Sequence, residues 1–116
     1  LSWAPREEDA VATALDQWRT NTFAPPVPWD LPTAAHFDGV SGHVGEGQVR
    51  KSVNISASLD RHAEWLAGYA ALGFDELYLH YVGQDQAPFI EAFGADVLPQ
   101  LRPAPVPDTR TEGATL

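Results

Sequence analysis

The chain has no cysteine and no methionine. Without cysteine there is no disulfide framework, no thiolate metal site and no cysteine nucleophile, so stability has to come from a packed core. Basic residues are scarce as well: 7 Lys and Arg stand against 16 Asp and Glu, a net charge of −9. Such a field repels phosphate backbones and anionic headgroups, which removes nucleic acid and membrane surfaces from the expected partners. No apolar run approaches the ~20 residues that cross a bilayer, and no basic-then-apolar leader opens the sequence. The cytoplasm is the expected compartment. A chain that starts at Leu1 and holds no Met reads as part of a longer product. What is present, 116 residues of which 44% are hydrophobic, has the make-up of one globular domain.

Leu1 to Ala4 reads as a strand end. Pro5 and the acids Glu7, Glu8 and Asp9 then open a helix expected over Arg6 to Thr20, with Ala10, Val11, Ala14, Leu15 and Trp18 along one stripe. Pro25, Pro26, Pro28 and Pro32 exclude a helix from the next stretch. A short helical turn is expected at Thr33 to Val40, and Gly39, Gly42, Gly45 and Gly47 predict a long loop for the rest of this connection. Ser52 to Ser58 alternates, with Val53, Ile55 and Ala57 on one side and Ser52, Asn54, Ser56 and Ser58 on the other, which predicts a strand. Ser58 or Asp60 caps a helix whose apolar set, Ala63, Leu66, Ala67 and Ala70, ends at Gly73. Glu76 to Val82 is rich in β-formers and predicts another alternating strand. Asp85 can cap a last helix carrying Phe89, Ile90, Phe93, Val97, Leu98 and Leu101, interrupted near Gly94 and Pro99. Residues 1–102 form the expected domain, and 103–116, which lack apolar periodicity, an expected disordered tail.

Strand, helix, long connection, strand, helix, strand, helix is the alternation of an α/β protein with parallel strands. The small polar face of the Ser52 to Ser58 strand suits the interior of a TIM-type barrel better than a doubly covered sheet. A complete barrel takes about eight βα units and ~250 residues, so this chain is expected to be a partial barrel of about the last three, with parallel strands and outer helices. Such a piece leaves Ser52, Asn54, Ser56, Tyr78 and His80 on an uncovered face with open edges. Self-association into a homo-oligomer, or pairing with the missing N-terminal part of the barrel, is the expected remedy.

Three stretches carry a family resemblance: SWAPREEDAVATALDQWRTN, SVNISASLDRHAEWLAGYAALGFDELYLHYVGQDQ and GFDELYLHYVGQDQAPFIEAFGADVLPQLR. Together they resemble the C-terminal part of the luciferase-like flavin-dependent oxidoreductases and monooxygenases, near the branch of deazaflavin-dependent sugar-phosphate dehydrogenases. The resemblance spans roughly Leu1 to Arg102. It implies hydride transfer at a flavin on the barrel mouth to or from a small-molecule substrate, with FMN ranked ahead of a deazaflavin coenzyme. It also implies that the isolated chain lacks most of the active site and is inactive, possessing no bound cofactor of its own. A basic residue near the penultimate strand binds substrate phosphate in the sugar-phosphate branch, and Arg50 and Lys51 stand just before that strand here. The alternative is a non-catalytic, self-associating α/β module.

Within that barrel reading, cofactor or substrate contacts fall on His80, Gly83, Gln84, Ser58 and Trp3, and no catalytic residue is assigned. His80 lies near the end of the last strand, where an imidazole can meet a flavin or serve as a hydrogen-bonded interior histidine. Gly83 to Gln86 form the following loop, whose amides could meet an anion while Asp85 caps the helix. Ser58, with Asn54 and Ser56, could bind a polar ligand or simply fill the interior. Trp3 could flank a ring or pack. His36, His43 and His62 are not spaced as metal pairs, so no metal is expected.

Overall fold

A computed structural model describes residues 1–101; the tail expected over 103–116 lies outside the described residues. The acids Glu7, Glu8 and Asp9 fill the first turn of α1 (Glu7–Trp18), where exposed amides favour negative charge, and Ala10, Val11 and Ala14 are its buried stripe. A 3₁₀ turn at Arg19–Asn21 carries it to the expected end. The proline-rich stretch holds only another such turn, Val27–Asp30. Thr33 then caps α2 (Ala34–Ser41) by accepting the His36 amide at 3.3 Å.

The glycine-rich connection departs from expectation. Residues Glu46–Ser52 form a helix, α3, with Gly45 at its N-cap. Glu46 in the first turn and Arg50 and Lys51 in the last complement the helix dipole, and a Glu46–Arg50 pair at 2.8 Å spans one turn. These terms outweigh Gly47, and Ser52 is drawn from the expected strand into the helix. By contrast α4 (Leu59–Ala70) follows the sequence reading: Ser58 accepts the Arg61 amide at 3.2 Å, and Gly73, at φ 91°, turns the chain beyond its end. The interrupted last helix is α5 (Ala87–Ala92), a π-helical turn at Phe93–Val97 around Gly94, and α6 (Leu98–Leu101).

The parallel-strand barrel does not form. Among the described residues no strand is present; what stands in its place is a ladder of single rungs. The Ser2 amide donates to the Asn54 carbonyl at 2.9 Å and the Ser2 carbonyl accepts the Ser56 amide at 3.2 Å, a parallel bridge between Ser2 and Ile55. On the other side, the Leu1 amine donates to the His80 carbonyl at 2.8 Å and the Leu1 carbonyl accepts the Val82 amide at 3.0 Å. Residues 1–2 therefore lie between 54–56 and 80–82, whereas consecutive barrel strands would put 54–56 in the middle. Alternation is a property of one segment, but a strand needs neighbours. Only Leu1 and Ser2 reach across, so Glu76 to Leu79 keep β-type residues and gain no ladder.

Of the residues expected on an uncovered face, Ser52, Tyr78 and His80 are exposed, Asn54 is half-buried and Ser56 is buried. Val53, Ile55 and Val82 pack with Ala10, Val11 and Ala14 of α1 and Val49 of α3. Leu1, Trp3, Leu79 and Tyr81 pack on the opposite side against Ala63 and Leu66 of α4 and against Phe89, Phe93 and Val97. The chain's own helices thus pack on both sides of the ladder and leave the part around Tyr78 and His80 exposed. The Ser2 hydroxyl ties it to α1 by donating to the Ala10 carbonyl at 2.7 Å.

Candidate functional site

Between α1, α4 and the segments leading into the ladder lies a cavity of about 340 Å³, near the lower end of the ~300–1,000 Å³ of small-molecule pockets. Ser52, Asn54, Tyr78 and His80 line it, and so do Val53, Leu77 and Leu79 from the opposite alternating sets. Trp18, from the last turn of α1, completes an aromatic wall: its indole meets the His80 imidazole edge-on, with ring centroids 5.3 Å apart. Tyr78 is 89% exposed at the rim, and its hydroxyl donates to Glu76 at 2.6 Å. That bond to a carboxylate holds the phenol above its usual pKa. The walls thus offer aromatic surface, an amide, a hydroxyl and an imidazole, and among the described residues no Lys or Arg lines the cavity.

Of the residues singled out from the sequence, His80 lines this cavity while Gly83, Gln84, Ser58 and Trp3 do not. Ser58 caps α4, and its amide donates to the Ser56 hydroxyl at 3.0 Å. The Trp3 indole N–H donates to the Ala57 carbonyl at 3.0 Å, and its ring stands edge-on to Phe93 at 6.3 Å. Gln84 donates to Gln17 of α1 at 3.4 Å, and Asp85 accepts the Ala87 amide at 3.4 Å at the start of α5. A Cβ on Gly83 would fall 2.5 Å from the Tyr81 ring, so the absence of a side chain there serves close packing.

Two residues take larger parts than the sequence suggests. His62 is 1% exposed, lies against Trp65 and Phe93 at 5.2 Å each, and donates Nε2–H to the Ser56 carbonyl at 2.9 Å. Burial lowers its pKa, against the Ser56 bond and the Glu7 charge, which raise it. Its place beside Ala63 on the apolar stripe of α4 is the signal that could have found it. Arg50 is committed rather than free for a phosphate, bonded to Glu46, to Glu7 and to the Ile55 carbonyl. Among the described residues no group of three potential metal ligands assembles, and no helix is long and apolar enough to cross a membrane.

Comparison with known proteins gives partial relatives. No family model matches the chain. The F420-dependent glucose-6-phosphate dehydrogenase of Intrasporangium calvum is 36% identical over 66 residues, 57% of this chain and 20% of that protein. Proteins of the same name from Microbacterium testaceum and Kineococcus radiotolerans are 42% identical over 48 residues and 43% over 56. Those matches cover 41% and 48% of this chain, and 14% and 17% of the two relatives. The chain thus spans at most about a fifth of these relatives, and the ranking of FMN ahead of a deazaflavin coenzyme finds no support in them. What the comparison establishes is a chain with partial homologues among F420-dependent oxidoreductases.

Proposed function

We propose that this chain is a portion of a deazaflavin-dependent oxidoreductase acting on a small hydroxylated substrate such as a sugar phosphate. The observation that carries the reading is the 36% identity over 66 residues to an F420-dependent glucose-6-phosphate dehydrogenase. The cavity fits a ring: Trp18, Tyr78 and His80 supply aromatic edges, and Asn54 and Ser52 supply hydrogen bonds. It is poorly suited to a phosphate, because among the described residues no Lys or Arg lines it and Arg50 already serves two carboxylates. The deazaflavin, when bound, would supply the hydride chemistry, and these residues would orient a ring. Charge for a phosphate has to come from elsewhere, so the isolated chain carries no turnover.

Titration of the chain with the deazaflavin coenzyme, read by tryptophan fluorescence, tests this reading. The coenzyme is expected to quench emission, and Trp18→Phe to remove most of the response. Tighter binding of FMN, or quenching that Trp18→Phe leaves intact, contradicts it. A self-associating, non-catalytic role is the second reading, favoured by the exposure of Leu72 (71%), Phe74 (61%) and Tyr78 (89%) along one stretch. Light scattering that shows a concentration-independent monomer removes that alternative.

A further inference from the structure

The extended segment 53–57 has two edges, and they are filled by different chemistry. On one, Ser2 donates to the Asn54 carbonyl and accepts the Ser56 amide, the pattern by which a parallel neighbour engages residues i and i+2. One residue along, the backbone of Ile55 and Ala57 faces the other way. There the Arg50 guanidinium donates Nη1–H to the Ile55 carbonyl at 3.1 Å, and Glu7 Oε2 accepts the Ala57 amide at 2.6 Å. Arg50 Nη2 and Glu7 Oε1 join at 2.9 Å, and Glu46 Oε1 holds Arg50 Nε at 2.8 Å from its own helix. Side chains from α1 and α3 thereby supply the donor and acceptor that a parallel strand would place on this edge.

We propose that the Glu7–Arg50 ion pair is a surrogate strand, which closes this edge of segment 53–57 and keeps a second copy of the chain from pairing there. Exposed edges are templates for other chains, and charged groups are a common means of blunting them. With side chains 48% and 35% exposed, the pair gains little from its Coulomb attraction alone. What it supplies is occupancy of two backbone groups. A copy is the competitor it excludes, because identical chains present the same edge to each other and pair about a two-fold axis.

Amide hydrogen exchange and light scattering of the intact chain test the proposal. In Glu7→Ala the Ala57 amide is expected to exchange at least tenfold faster at low protein concentration, while Ala63 and Leu66 in α4 keep their protection. Raising the concentration is expected to restore Ala57 protection as the mean mass rises above that of the unaltered chain. Arg50→Lys, which keeps the charge and loses the planar fork, is expected to show both effects more weakly. Unchanged Ala57 exchange in both variants overturns the proposal. So does a mass equal to that of the unaltered chain at every concentration once Ala57 is exposed. General loss of protection in Glu7→Ala, with Arg50→Lys folded and indistinguishable from the unaltered chain, also overturns it.

Discussion

The His62 imidazole donates Nε2–H to the Ser56 carbonyl at 2.9 Å, and so fastens α4 to the end of the extended segment through a side chain that is 1% exposed. The carbonyl can only accept, so the bond fixes the proton on Nε2. Truncation would open a cavity among Trp65 and Phe93 and strip a partner from a buried carbonyl. His62→Ala is expected to lower unfolding stability by about 2–4 kcal/mol in urea titrations. An effect within experimental error contradicts the packing described.

The same residue sets a pH dependence. Burial lowers the His62 pKa from its ordinary 6.5, so on acidification the unfolded chain takes up a proton before the folded one does. Stability therefore declines as pH falls through about 6.5 and levels off below the folded value. Glu7 adds a second decline: the Ala57 amide and Arg50 hold its pKa below the ordinary 4.5, so its contribution is present above 4.5 and lost as pH falls through the folded value. Urea midpoints at about pH 7.5 and about pH 5.5 bracket the histidine's decline, to which the Leu1 amine, its pKa lowered from 8.0 by burial, adds in the same direction, and His62→Gln is expected to shrink the difference between them. An undiminished difference in that variant assigns the effect to another group.

Gly83 faces the Tyr81 ring, itself stacked on Phe89 with centroids 5.1 Å apart. An added methyl has to displace that stack, so Gly83→Ala is expected to cost about 1–3 kcal/mol. In a Tyr81→Leu background the cost is expected to shrink, a coupling that a double-mutant cycle measures. Additive effects would mean that the ring does not oppose the methyl.

Ser58→Ala is expected to destabilise by about 1 kcal/mol through loss of the α4 cap, and Ser58→Asp, which also caps, to retain stability. Circular dichroism melts of the two variants decide. Equal losses in both would point to a role for the hydroxyl other than capping.

These residues also show where the sequence was readable. Ser58, Gly73 and the Ala63–Leu66 stripe state a helix locally, because caps and periodicity act within a few residues. The cavity lining was not legible from alternation: Val53, Leu77 and Leu79 line it beside Asn54, Tyr78 and His80, because no strand forms among the described residues to part the two sets. Helix α3 was obscured by Gly45 and Gly47, although Glu46 and Arg50 stand one turn apart in plain view. The Glu7–Arg50 bridge joins residues 43 apart, and no local pattern announces it. The order of the ladder, with Leu1 and Ser2 between the other two segments, depends on which neighbours the polypeptide contains. Trp18 reads from sequence as one more apolar position on α1 and becomes a wall of the cavity only because His80 is folded against it.

The central claim, that this chain is part of a deazaflavin-dependent oxidoreductase, is tested most directly in a chimera. The chain replaces the matching segment of the Intrasporangium calvum relative, and coenzyme reduction by glucose 6-phosphate is followed. We expect a folded chimera that reduces the deazaflavin coenzyme, with kcat/KM lowered at least tenfold by His80→Ala. A folded chimera that leaves the coenzyme oxidised, or that turns over with FMN in its place, contradicts the claim.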